Sequence, residues 1–170
     1  PSQVNQVFLN LITNAAQVSA AVAGQDAVVT SISLTPTRKP VTVFSVGADN
    51  VLAAMQGAGV RRVIAVTGIG AGERRGHGGF AYDRIAQPSL LGTIYADKDR
   101  EEAAIRASTV DWTIVRPGAL TDKGAEHRFW VVGKLDGVSS GSISRADVAH
   151  YIVAAIESGQ DSHAAVLLTN

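Results

Sequence analysis

The chain contains no cysteine. That excludes disulfides, thiol nucleophiles and cysteine-ligated metals. It also lacks net charge: 15 Lys and Arg balance 15 Asp and Glu. No broad field exists to attract a polyanion, so nucleic acid is not expected as a partner. No apolar run approaches the roughly 20 residues that span a bilayer, and no basic-then-apolar leader opens the chain. A soluble, cytoplasmic protein without membrane contact or a bound metal is the expectation. Internal repeats, low-complexity tracts and linkers are missing too. Residues 1–170 therefore read as one domain, long enough to bury a core.

What is present is ordinary α/β usage, 46% apolar and 18% charged. Val4 to Leu9 alternates weakly and reads as a strand. Asn14 then leads a short helix, Ala15 to Ala23, closed by Gly24. Ala27 to Ile32 is a β-branched apolar run, the pattern of a strand buried on both faces. After the proline-containing stretch Leu34 to Pro40, a helix from about Thr42 to Gln56 places Phe44, Ala48, Val51, Leu52 and Met55 on one face. Gly57 and Gly59 are expected to stop it. Arg62 to Thr67 is the next buried strand, and a helix with a break at Gln87-Pro88 covers Phe80 to about Ala107. Trp112 to Val115 is a strand, and His127 to Val132 is a short one. Ser144 and Asp147, at capping-box spacing, open a helix whose stripe is Val148, Tyr151, Ile152, Ala155 and Ile156. Val166 to Thr169 closes the chain as a strand. Strands alternate with helices and the middle strands are continuous apolar runs. This predicts an α/β, Rossmann-like doubly wound parallel sheet with helices on both faces.

Gly68 to Gly79 is a glycine-rich loop after a strand, and its GIGAGE segment invites a phosphate-loop reading. A dinucleotide fingerprint needs glycines at relative positions one, three and six. Gly68 and Gly70 fit, but the sixth position is Glu73, whose carboxylate would repel a pyrophosphate. The loop is better read as glycines shaping the carboxyl edge of the sheet. Arg74 and Arg75 read as a solvated pair, and His77 has no evident partner.

The most informative stretch runs from Asp97 to Leu120, DKDREEAAIRASTVDWTIVRPGAL. A charged helix leads into an apolar strand that breaks at Arg116-Pro117-Gly118, where parallel sheets bind ligands. Together with GQDAVVTSIS, AAMQGAGVRRVIAVTGIGAGE, YADKDREEAAIRAS and SISRADVAHYIVAAI, it resembles the atypical short-chain dehydrogenase/reductases of the NAD(P)H-binding, NmrA-like type. The resemblance implies a nicotinamide cofactor, NADP or NAD with NADP slightly preferred, and a small-molecule substrate. It implies cofactor contacts at Ser31, Ser33, Thr67, Gly68 and Lys98. Pro117, Gly118, Ala119 and Leu120 would lie beside the nicotinamide. In the wider superfamily a helical lysine bonds the nicotinamide ribose and activates a tyrosine. The alternative for Lys98 is an exposed lysine among Asp97, Asp99, Glu101 and Glu102.

The chain also departs from that pattern. The usual tyrosine stands four residues before the lysine, where this sequence has Ile94; Tyr95 is one residue away and near the same face. Tyr95 and Lys98 are the candidate catalytic residues, although the Ser/Tyr/Lys relay is not evident. Hydride transfer to a flavin or quinone does not strictly require that relay, so an NAD(P)H-dependent oxidoreductase with such an acceptor is the first reading. A non-catalytic, NAD(P)-binding redox regulator is the second, and a sugar-nucleotide epimerase or dehydratase a weaker third. The opening strand looks like the family's third, as though the glycine-rich βαβ unit were absent, and Asn10-Leu11 replaces a common Gly-Asp pair. That reading predicts an N-terminally truncated fold in which Ala27 to Ile32 loses a neighbour and leaves an apolar edge open to self-association. For the chain as it stands it also predicts weak dinucleotide affinity.

Overall fold

The computed structural model describes residues 6–9, 15–37, 39–68, 92–133 and 141–170. Elements follow in chain order as β1 (Gln6–Leu9), α1 (Ala15–Val22), β2 (Ala27–Ser31), α2 (Val43–Ala58), β3 (Arg62–Val66) and α3 (Gly92–Ala107). The chain continues through β4 (Asp111–Pro117), β5 (Ala119–Thr121), β6 (Trp130–Val132), β7 (Ser142–Ser144), α4 (Arg145–Ser158) and β8 (Ala164–Thr169). The main sheet has the order β1-β2-β3-β4-β8-β6. Every pairing in it is parallel except β6 with β8. Val29 sits beside Ile64, and Ala65 beside Ile114. The apolar runs thus lie on neighbouring aligned strands, as the sequence predicts for a Rossmann-like sheet.

Side chains alternate between the two faces because successive strand residues point opposite ways. One face sets Val28, Val63 and Ile114 against Val18 of α1, Met55 of α2 and Ile105 of α3. The other sets Val29, Ile64 and Val115 against Val148, Tyr151 and Ile152 of α4. Met55, Ile64 and Ile114 are fully buried, each contributing about 1.5–3 kcal/mol by leaving water. Among the described residues, three helices cover the first face and one covers the second.

Several expectations are met closely, others are corrected. Gly24 adopts positive φ after α1, and Gly59 caps α2 in the left-handed region. Gly57, expected to help stop α2, lies inside it; the helix ends only where the backbone turns left-handed. The expected open edge at Ala27 to Ile32 is not found. β1 pairs along β2 in parallel, Gln6 with Ala27 through Leu9 with Thr30, so both flanks of β2 are hydrogen-bonded. Pro117 to Leu120 is not a free loop: Pro117 ends β4, and Ala119 starts β5, which pairs with β7 in a second, two-stranded sheet. The break at Gln87-Pro88, the residues from Ile69 to Gly79, and the pair Asn10-Leu11 lie outside the described residues.

The junction between the two sheets has a local cause. The amide of Gly118 donates to Leu168 O at 2.9 Å and that of Ala119 to Gly141 O at 3.0 Å. A Cβ on Gly118 would lie 2.5 Å from the Gly141 carbonyl oxygen. Only glycine permits this approach.

Candidate functional site

Ligands of open parallel sheets bind outside the carboxyl ends of the strands. Here those ends are Ser31 of β2, Val66 of β3 followed by Thr67 and Gly68, and Pro117 of β4. The edge has a charged side, beneath α2 and α3, and an apolar side, beneath α4.

The charged side is unusual for its burial. Asp97, Lys98, Glu101 and Glu102 of α3 and Arg116 of β4 are all buried. Charges taken out of water need partners, and most have them. Glu102 Oε1 accepts from Arg116 Nε at 3.0 Å, and its Oε2 pairs with Arg116 Nη2. Thr67 Oγ1 donates to the same Oε1 at 2.7 Å. Asp97 accepts from the Phe44 amide at 2.9 Å and from Ser45 Oγ at 2.5 Å, while Arg100 Nη2 lies 3.0 Å from its Oδ1. This carboxylate from α3 caps the start of α2, whose own Thr42 makes no side-chain cap.

Lys98 is 6% exposed, which corrects the reading of it as an exposed lysine. Its Nζ lies 4.2 Å from the Phe44 ring centroid, a cation–π contact. Burial draws its ammonium below the ordinary lysine range, opposed by Glu101, Glu102 and Asp97. Glu101 shifts the other way. Burial pushes its carboxyl up to about 7, with Lys98 opposing and Glu102 and Asp97 adding to the rise. Among the described residues Glu101 Oε2 has no hydrogen-bond partner, and neither does the buried Thr30 Oγ1.

Tyr95 precedes Lys98 by one helical turn. A Cβ on Gly68 would lie 3.6 Å from Tyr95 Oη and 3.8 Å from Cε1, so the phenol sits against the backbone just past β3. Gly68 takes a φ of 153°, which L side chains rarely adopt. Gly68 and Tyr95 thereby meet, and Lys98 follows one turn along α3 with its ammonium on Phe44. Thr67 adjoins Gly68, with its hydroxyl directed into the protein toward Glu102. Pro117 and Gly118 are buried, whereas Ser31, Ser33, Ala119 and Leu120 are exposed.

On the apolar side is a cleft of about 250 Å³. Its floor is Val29 and Val66 of the sheet and its wall is Val148, Ile152 and Val153 of α4. Ser31, Leu120, Ala149 and Arg145 stand at its exposed parts. Ser31 and Leu120 are the sequence-expected residues it joins. Sequence reasoning missed the rest, together with Glu101, Glu102 and Arg116. The signal for Arg145 was its place directly after the capping Ser144, at the first turn of an amphipathic helix.

The N-termini of α2 and α4 are both filled from within: Asp97 occupies the first, and Ser144 Oγ accepts from the Asp147 amide at 2.9 Å at the second. In both, an acceptor of the chain itself already takes a first-turn amide that a phosphate would use. Among the described residues no cluster of three or more His, Cys, Asp and Glu could hold a metal ion. No helix there is long and apolar enough to cross a membrane.

A family model described as NAD(P)H-binding matches residues 3–159. An uncharacterized chloroplastic protein of Arabidopsis thaliana is 28% identical over 176 aligned positions, which take in 90% of this chain and 52% of that protein. The chain thus spans about half the length of that relative. Among solved structures, an anaerobilin reductase from Escherichia coli O157:H7, ChuY, superposes with a TM-score of 0.74 at 21% identity, over 92% of this chain and 71% of that one. A short-chain dehydrogenase/reductase from Veillonella parvula in complex with NADP gives a TM-score of 0.72 at 15% identity, over 92% and 68%. At these identities the structural likenesses establish the Rossmann-like fold.

Proposed function

This chain belongs to the NAD(P)H-binding family, and from that membership we propose that it is an NAD(P)H-dependent oxidoreductase of the atypical short-chain type, passing a hydride to a small acceptor such as a quinone or flavin. The observation that supports the reading is the approach of Tyr95 to the Gly68 backbone past the end of β3, with the buried Lys98 one turn further along α3. A backbone without a side chain, a phenol against it and a buried ammonium one turn away suit the nicotinamide and ribose end of the cofactor. They do not suit the pyrophosphate end, since the start of α2 holds a carboxylate and that of α4 its own serine. NADP is the cofactor of first choice, following the Veillonella complex.

When bound, the reduced nicotinamide supplies the hydride. The chain's own part is to position, exclude water and move a proton. Gly68 leaves room for a flat ring. Tyr95 Oη, close to that backbone, is the proton donor to an acceptor oxygen. The Lys98 ammonium, confined by Phe44, Glu101 and Glu102, keeps a positive charge beside the ribose position. Ser31, Ser33, Thr67 and Pro117 to Leu120 complete the contacts, with Pro117 and Gly118 acting as a rigid base.

The test is NADPH oxidation by the purified protein with a panel of quinones and flavins, at millimolar NADPH so that weak binding is also reached. Turnover with at least one acceptor supports the reading. Binding without turnover selects the redox-sensing regulator instead, and neither binding nor turnover overturns both.

A further inference from the structure

Four ionisable side chains of α3 are buried: Asp97, Lys98, Glu101 and Glu102. A buried carboxylate is costly without a partner, and two of these three are compensated by arginine. Asp97 pairs with Arg100 and accepts from the Phe44 amide and the Ser45 hydroxyl. Glu102 pairs with Arg116 and accepts from Thr67, with Arg106 at 4.0 Å. Glu101 is the exception. It is 2% exposed. Among the described residues its Oε2 has no hydrogen-bond partner and no arginine pairs with it. The cation beside it is Lys98, one turn back on the same face of α3. The Asp97–Arg100 and Glu102–Arg116 pairs cancel, so the charge of this layer is set by Lys98 and Glu101. It is neutral while the Glu101 carboxyl is ionised and positive when that carboxyl holds a proton. Burial brings the change close to neutral pH. The packed elements add no other buried charge among the described residues. α2 has only the exposed Asp49, and β2 has no ionisable group. Tyr95, Asp99 and Arg106 of α3 are not buried, and Arg62 of β3 and Asp111 of β4 stand at the opposite, amino end of the sheet.

We propose that Glu101 regulates the dinucleotide site through Lys98: when Glu101 takes up a proton, the Lys98 ammonium loses its buried counter-charge and attracts the anionic cofactor more strongly. This rests on the reading that sets the ribose beside Lys98. Glu101 is a positioning residue there, since it acts on the ammonium and not on the cofactor. An acid buried beside a lysine without an arginine of its own is a group whose charge changes with its surroundings. The coupling is reciprocal: cofactor binding near neutral pH draws a proton onto Glu101.

The test titrates NADH, because the 2′-phosphate of NADPH itself changes charge in the same range. Fluorescence titration at pH 6 and pH 8 is expected to show affinity about tenfold lower at pH 8. That is the scale of one unit charge acting over about 10 Å at an effective permittivity of about 20. Calorimetry at pH 7, in buffers of different ionisation heat, is expected to show proton uptake on binding. Glu101→Gln keeps the tighter affinity at both pH values and abolishes the uptake. A merely structural Glu101 would change affinity by the same factor at both. Lys98→Met binds weakly at both. NADH bound equally at pH 6 and pH 8, or a pH profile that survives Glu101→Gln, overturns the inference and leaves the cofactor reading standing. No NADH binding at either pH overturns both.

Discussion

Glu102 and Arg116 meet as a two-point ion pair, 3.0 Å from Oε1 to Nε, with both side chains buried. They tie the middle of α3 to the end of β4 and so fix the helix that carries Tyr95 and Lys98 relative to the sheet edge. Such a pair is costly to break and not necessarily costly to replace. Arg116→Met leaves the buried Glu102 carboxylate with the Thr67 hydroxyl and a 4.0 Å contact to Arg106, and a loss of about 3–5 kcal/mol is expected. The double change Glu102→Leu with Arg116→Met loses less than either single change. Urea unfolding of the three variants measures this, and a double variant less stable than both singles contradicts it.

Glu101 makes stability depend on pH in a defined direction. Its folded carboxyl titrates near 7 against an ordinary value of 4.5, so the folded chain holds a proton that the unfolded chain has released. The contribution is fully present below the ordinary value and is lost as pH rises through 7. At about 1.4 kcal/mol per pH unit, ionised Glu101 costs about 3 kcal/mol in alkaline solution. Glu101→Gln, uncharged throughout, is expected to be more stable than the unsubstituted protein at pH 8 and nearly equal to it at pH 5. Thermal melts across that range test this; a constant difference would contradict it.

Gly118→Ala places a methyl group 2.5 Å from the Gly141 carbonyl oxygen. Backbone faces backbone there, so the clash is not relieved by a rotamer change. The expected loss is about 1–3 kcal/mol. It should be accompanied by faster hydrogen exchange at the Ala119 and Asn170 amides, which bond to Gly141 and Ser142. Unchanged exchange at both amides would show that the junction absorbs the methyl group without separating, and would contradict this.

Tyr95→Phe removes the proposed proton donor and keeps the ring against Gly68. NADPH turnover is expected to fall by about 10²–10⁴-fold with nucleotide affinity unchanged. Lys98→Met keeps the packing on Phe44 and removes the charge, and weakens nucleotide affinity. If Tyr95→Phe turned over normally, the proton would come from elsewhere.

The sheet was legible because its signal is local. Ala27 to Ser31, Arg62 to Val66 and the strand around Trp112 to Val115 are uninterrupted apolar runs, and a run buried on both faces has few other homes. The capping pair Ser144 and Asp147 was readable for the same reason: its two members are three residues apart. What was illegible depends on separation. Asp97 looked like one charge in an acidic helix, and its role as the cap of α2 exists only once α3 lies beside residues 53 positions earlier. Lys98 read equally well as a surface lysine, because sequence shows its acidic neighbours but not that α3 turns Asp97, Lys98, Glu101 and Glu102 inward. The flank of β2 looked open because the family resemblance places a different strand beside it, and that β1 takes that place is visible only in the pairing. The cleft was invisible, being made of ordinary, mostly apolar residues from three strands and a helix.

The distant cap also sets an order of assembly. The first turn of α2 has no side-chain partner of its own, and its amides wait for a carboxylate encoded some fifty residues later. During synthesis that turn stays frayed until β3 and the start of α3 have emerged. The cap thus ties the ordering of that turn to a contact of long sequence separation, the kind that slows folding.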